Sequence, residues 1–236
     1  MTDYLVFAKK PSTDFGVFAA DCLDKFSAAQ RRYEDVQIPG RNGNLTVLDG
    51  SYENIPVKYR LYISKDIKSQ IMGFRNHLNI NSGYQRLEDT FSPDEYRMGR
   101  FLSLFEVESS DRKNASFQIE FDCKPQRFLR SGEQTVTLTA SSSVYNQNLT
   151  TAKPMVRVYG TGTVTIGGIP IRLTANASYT DIDCETENAY RGSTNLNSYI
   201  VLNSKKEFWE LPPGSTSIVL GSGITRVEIQ PRWWVL

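Results

Sequence analysis

A chain of 236 residues is long enough for one large or two small domains, and 39% hydrophobic with 22% charged residues fits a folded globular protein rather than a disordered one. A formal net charge of +1 excludes a general basic bias toward nucleic acid and an acidic tail. Cys22, Cys123 and Cys184 are odd in number and widely spaced, which is neither a disulfide framework nor a zinc pattern, so they read as small buried hydrophobes. Residues 1–11 lack the apolar core of a signal peptide, and no stretch approaches the ~20 apolar residues of a membrane span. The expectation is a protein kept in the cytosol until it is assembled, without membrane insertion.

In chain order, residues 1–37 carry Phe7, Phe15, Val17, Phe18, Phe26 and Val36 between charged breaks, which predicts two or three short strands. Arg31 and Arg32 suit a solvated strand edge better than a phosphate contact. Three turn dipeptides follow closely: Pro39-Gly40, Asn42-Gly43 and Asp49-Gly50. Pro pre-sets φ and Gly accepts positive φ, so residues 45–48 are predicted to be a short strand between two tight turns. The loop Pro39-Gly40-Arg41-Asn42-Gly43 holds no nucleophile, metal ligand or general base, and its plain reading is a hairpin tip.

Residues 57–63 alternate as a half-buried strand. Residues 64–79 form the principal predicted helix, with Ser64 as N-cap and Ile67, Ile71, Phe74 and Leu78 on one face. His77 lies beside that face without a second histidine or a nearby cysteine, so it reads as structural. Residues 84–100 mix aromatics, carboxylates and arginines. Glu88 and Glu95 could be drawn as a glycosidase acid/base pair, but a solvated or intersubunit loop is the simpler expectation. Residues 101–107 and 115–123 are predicted strands, the second with Phe117, Ile119 and Phe121 facing one way.

Nine of the 23 residues from 131 to 153 are Ser or Thr, a shift in composition that places the domain boundary near Ser131 and predicts a strand or two plus an exposed connection. Strands are expected at 155–159, 163–166, 169–175, 179–184, 199–203, 217–220 and 225–230, punctuated by glycine and proline turns, which indicates a β-sandwich. Gly160-Thr161-Gly162 is followed by strand signals, so it is not a nucleotide loop, which must lead into a helix. Asp181, Asp183, Glu185 and Glu187 would share one strand face. They could bind calcium, yet they lack the loop pattern of a dedicated site, and simple solvent exposure is the expectation. Trp209, Trp233 and Trp234 could stack on sugar or anchor a core or an interface.

The order and spacing of these motifs resembles the distal tail proteins of siphophages and related prophages. The resemblance is carried by Ile38 through Gly43, by Asp49-Gly50 with Tyr52-Glu53-Asn54, by the single helix, and by Gly83-Tyr84 with Leu87-Glu88-Asp89. Farther on it is carried by Pro154, Val156, Val158, Gly160 and Gly162, by Ile182 to Glu185, by Leu211-Pro212 with Gly214, and by Pro231-Arg232-Trp233-Trp234.

That resemblance implies a mainly β (α+β) chain. Residues 1–130 would form a ring domain with one principal helix, and residues 131–236 a peripheral sandwich like a galectin or carbohydrate-binding module. It further implies a non-enzymatic, hexameric virion component of the baseplate hub. The ring would dock the tail tube on one face and, on the other, a tail-tip protein (a tail-associated lysin or a receptor-binding protein). DNA would pass through the lumen without specific binding, and no cofactor or metal is implied.

The expected intersubunit residues are Pro39, Gly40, Arg41, Asn42 and Gly43, facing acidic residues near Glu88 and Asp89. Alternatively Arg41 only pins its own turn. The alternative function is carbohydrate binding in host cell-wall recognition, with Trp209, Trp233 and Trp234 at the site. A glycoside hydrolase is a third reading with the least support.

Overall fold

The computed structural model describes residues 2–110, 114–174 and 178–236, with residues 103–110 described through their backbone. The chain divides into two compact units, Met1–Arg127 with Leu236, and Phe128–Val235. Strands dominate both.

In the first unit the main sheet runs in the order Lys10–Pro11, Leu5–Phe7, Gln85–Asp89, Glu95–Ser110, Ala115–Leu129, Ile55–Ile63 and Val17–Cys22. Alternation explains its register. Val57, Tyr59 and Leu61 stand directly opposite Phe121, Ile119 and Phe117 in an antiparallel pair, so one face of both strands is apolar. All six are buried. Fully burying a side chain of this size stabilises by about 1.5–3 kcal/mol, which makes this face the centre of the unit's core.

The helix Ile67–Ile80 covers that core. It begins three residues later than its sequence signals predict. Asp66 sits in the left-handed region at φ 43°, so helical geometry cannot extend back to Ser64, and neither residue makes a side-chain cap bond. Phe74 and Leu78 are buried, while Ile67 and Ile71 are only half-buried against the core edge. His77 is structural. Its Nε2 lies 2.9 Å from the Phe7 carbonyl, Asn81 Nδ2 lies 3.1 Å from its Nδ1, and the ring stacks on Phe15.

The second unit is a two-sheet sandwich. One sheet runs Val136–Leu138, Ile224–Gln230, Met155–Gly160, Thr180–Asp183, Asn188–Arg191, Thr194–Asn195. The other runs Ser142–Asn146, Gly214–Leu220, Gly162–Ile166, Ile169–Leu173, Ile200–Val201. The strand predicted at 169–175 thus ends at Leu173, and Ala175 lies outside the described residues. The Ser/Thr-rich stretch is not a linker. It supplies one strand to each sheet.

Two chain segments change sheets side by side, one at Thr161 and the other between Leu220 and Ile224. At this corner the backbones touch. A Cβ on Gly160 would stand 2.1 Å from the Gly223 carbonyl oxygen, and one on Gly223 would stand 2.1 Å from that of Thr161. Glycine is required here for close approach as well as for its positive φ.

All three cysteines are free and buried. Burial pushes the Cys22 thiol up to about 11 and those of Cys123 and Cys184 up to about 12.

Candidate functional site

The strongest candidate is a two-stranded ribbon in the first unit. Arg31–Val36 pairs antiparallel with Leu45–Tyr52, and this pair forms a sheet of its own. Every residue from 31 to 51 is exposed. The register places Val36 opposite Leu45 and Glu34 opposite Val47 on one face. Tyr33 opposite Leu48 and Asp35 opposite Thr46 lie on the other. Both faces therefore carry exposed apolar side chains that nothing among the described residues fully covers, among them Tyr33, Val36, Leu45, Val47 and Leu48. An isolated two-stranded ribbon is marginal in water, and a contiguous exposed apolar surface marks an interaction site.

The tip is built as its residue types require. The Arg41 N–H donates to the Ile38 carbonyl across Pro39-Gly40, and Gly40 lies at φ 80°, which is a type II turn with proline and glycine in its two central positions. Gly43 also has φ 80°. The Arg41 side chain is exposed at this tip and, among the described residues, makes no ion pair or side-chain hydrogen bond within its own chain.

Asp49-Gly50 corrects the sequence reading. It does not end the strand, which runs through it to Tyr52. The register shifts here, with Tyr33 opposite Leu48 but Arg31 opposite Tyr52, so the dipeptide forms a bulge. Gly50 supplies the positive φ, and Asp49 Oδ1 accepts from both the N–H and the Oγ of Ser51. The Ser51 N–H, then its hydroxyl, hold the Asp49 carboxyl below the usual carboxylate range.

The remaining predicted residues are placed as follows. Glu88 and Asp89 do not lie in a loop; they belong to the strand Gln85–Asp89. Glu88 pairs with Arg86. The Asp89 carboxylate accepts from the Tyr59 hydroxyl at 2.6 Å and the Ser92 N–H at 2.9 Å, so it is engaged within its own chain rather than offered to a neighbour's Arg41.

Trp209 is 0% exposed, with its Nε1 donating to the Ile169 carbonyl at 2.9 Å, and it presents no ring face to a sugar or a partner. Trp233 and Trp234 are half-buried against the sandwich core, and Trp234 Nε1 donates to the Thr151 carbonyl at 3.0 Å.

The acidic strand is also not simply solvated. Asp181 accepts two bonds from Arg157, at 2.6 and 3.0 Å, and Asp183 two from Arg232, at 2.7 and 3.0 Å. Burial alone would raise Asp183, but Arg232, with the N–H groups of Glu185 and Thr186, holds its carboxyl below the usual range. Glu185 and Glu187 fall in an exposed turn. Among the described residues no group of three His, Cys, Asp or Glu is placed to hold a metal ion.

No family model matches this sequence, and no curated protein matches it. A solved structure does. The crystal structure of SPP1 Dit (gp 19.1), described as a paradigm of hub adsorption apparatus in Gram-positive infecting phages, aligns with a TM-score of 0.76 over 100% of both chains at 14% identity. The fold is that of Dit. Because the superposition spans both chains completely, both units of this protein, and not the sandwich alone, belong to the Dit fold.

Proposed function

We propose that this chain is a distal tail protein, a structural subunit of a phage adsorption hub at the tail tip rather than an enzyme. The observation that carries the proposal is the full-length correspondence with Dit. In this reading six copies close a ring around the DNA channel. The tail tube docks on one face, and a tail-tip protein, either a tail-associated lysin or a receptor-binding protein, docks on the other. The chain is made in the host cytoplasm and ends in the virion. The sandwich is a peripheral module of galectin-like kind.

Charge supports a conduit. A net charge of +1 gives the chain no overall attraction for DNA, which suits a ring that lets DNA pass without holding it. The ribbon supports a ring. Closed rings of more than two copies use heterologous contacts, in which one surface of a subunit meets a different surface of the next. The ribbon is such a surface, and Arg41 at its tip presents a planar fork of donors suited to a carboxylate or to carbonyls of the neighbour.

Native mass spectrometry of the full chain tests this. A six-copy mass at micromolar concentration is the expected result, and a monomer there would overturn the ring. A closed ring of another copy number would overturn the hexamer but leave the hub. Arg41→Ala is expected to keep the circular dichroism of the parent and shift the population from ring to monomer. An undiminished ring population at matched concentration would remove Arg41 from the seam.

A further inference from the structure

At the tip of the ribbon, Asn42 is the only asparagine in the chain that is followed by glycine. Both residues are exposed, and both lie outside the ladder, which ends at Val36 opposite Leu45. Among the described residues, neither the Asn42 side-chain amide nor the Gly43 N–H makes a hydrogen bond. A Cβ added at Gly43 would meet no atom within 4 Å, so the chain there stands in open space.

Asn81, Asn188, Asn197 and Asn203 also precede small residues, but their side chains are held. Asn81 donates to the His77 carbonyl at 2.7 Å, and Asn188 to the Thr186 carbonyl at 2.8 Å. Asn197 accepts from the Ala189 N–H, and Asn203 accepts from the Glu207 N–H at 3.0 Å. Asp49-Gly50, the related pair in the ribbon, carries a carboxyl that Ser51 holds in its ionised form, and a carboxylate is a poor electrophile.

We infer that Asn42 is a site of spontaneous deamidation in the free chain, and that its conversion withdraws the chain from ring assembly. The Gly43 backbone nitrogen, losing its proton, attacks the carbonyl carbon of the Asn42 side chain. A carbon–nitrogen bond forms and closes a succinimide, and the side-chain nitrogen leaves as ammonia. Water then opens the succinimide at either carbonyl, giving aspartate or isoaspartate. Glycine permits this attack because it has no Cβ to shield its nitrogen and its backbone rotates freely.

Either product adds a carboxylate beside Arg41 and takes the net charge of the chain from +1 to zero. The isoaspartyl link also routes the main chain through the side-chain methylene, which lengthens the tip. The effect on assembly rests on the reading of this tip as part of the ring seam. A carboxylate next to Arg41 competes for the guanidinium that a neighbouring subunit would engage.

Peptide mapping by mass spectrometry tests the site, on the full chain aged as a dilute solution in warm, mildly alkaline buffer. The expected result is a gain of about one dalton at Asn42, split between aspartate and isoaspartate, before any gain at Asn81, Asn188, Asn197 or Asn203. Gly43→Ala is expected to slow the gain by roughly tenfold, the effect of about 1.4 kcal/mol on the barrier. An unchanged Asn42, or earlier conversion at another asparagine, overturns the site. Native mass spectrometry of Asn42→Asp reads the consequence, and the expected result is a shift from ring to monomer like that of Arg41→Ala. Parent-like rings from Asn42→Asp, where Arg41→Ala loses them, overturn the effect on assembly while leaving Arg41 at the seam. Parent-like rings from both variants overturn that effect together with the seam reading beneath it, and the deamidation site is then decided by its mass gain alone.

Discussion

If the ribbon is the seam of a ring, removing its apolar face should separate assembly from folding. The test variant carries Val36→Thr, Leu45→Thr and Val47→Thr together, replacements that keep strand propensity and remove apolar surface. These three side chains share one face of the ribbon and are 39%, 42% and 48% exposed in the single chain. Fully burying a Val or Leu side chain stabilises by about 1.5–3 kcal/mol, so covering the remaining two-fifths to one-half of each yields roughly 0.6–1.4 kcal/mol apiece. The sum is about 2–4 kcal/mol per subunit contact, which at 1.4 kcal/mol per tenfold weakens each contact by roughly 30- to 700-fold. At up to about 0.5 kcal/mol for each of three surface substitutions, the stability of the isolated chain should change by no more than about 1.5 kcal/mol. A dilution series by native mass spectrometry reads the first quantity and urea unfolding the second. A variant that forms rings at the parent's concentration would refute the ribbon as seam. A variant that unfolds would refute the claim that this face is uncovered.

Two further outcomes follow from the interior. Phe74→Ala, which empties a buried position between Phe15 and Phe117, should cost about 3–5 kcal/mol in urea unfolding, and a loss under ~1 kcal/mol would mean that the helix face is wrongly assigned. Asp183 has a folded pKa below the ordinary ~3.9, so its contribution is present above pH 4 and is lost as pH falls through the folded value. Arg232→Met should destabilise the sandwich at pH 7 by about 1–3 kcal/mol, discounted for partial exposure of the pair, and flatten the loss of stability as the pH falls below 4. An unchanged acid slope in the variant would show that Arg232 does not set the Asp183 carboxyl.

Local periodicity was the legible part of the fold. Phe117, Ile119 and Phe121 announced their strand by strict alternation, and Phe74 and Leu78 their helix by spacing, because both signals are carried by neighbours in sequence. What misled was local chemistry with two structural uses. Asp49-Gly50 signals positive φ, but it does not say whether the chain reverses or bulges. Ser64 looks like a cap, yet the left-handed Asp66 decides where the helix begins.

Long-range pairing was not legible at all. Asp181 and Asp183 read as a solvent-exposed face, whereas their partners Arg157 and Arg232 come from 24 and 49 residues away. Trp209 carries the same composition signal whether it is buried or displayed. The ribbon tip was foreseen from its turns, whereas the uncovered stripe of Val36, Leu45 and Val47 was not. Its alternation resembles that of any half-buried strand, and only the absence of a third strand beside it among the described residues gives it meaning.

The glycine corner of the sandwich constrains how this protein can change over time. Two crossings touch there backbone to backbone, and a Cβ added to Gly160, Gly162, Gly221 or Gly223 would stand within 2.6 Å of a carbonyl oxygen. No single replacement can relieve the others, so an insertion or a larger residue on either crossing must displace its neighbour. The turns at residues 184–187 and 203–206 carry no such lock, and Glu187 and Lys206 already hold positive φ in exposed positions. Sequence acquired by the second unit, including a whole inserted module, is therefore expected to enter through those turns, leaving the corner as a fixed reference point around which lineages diverge.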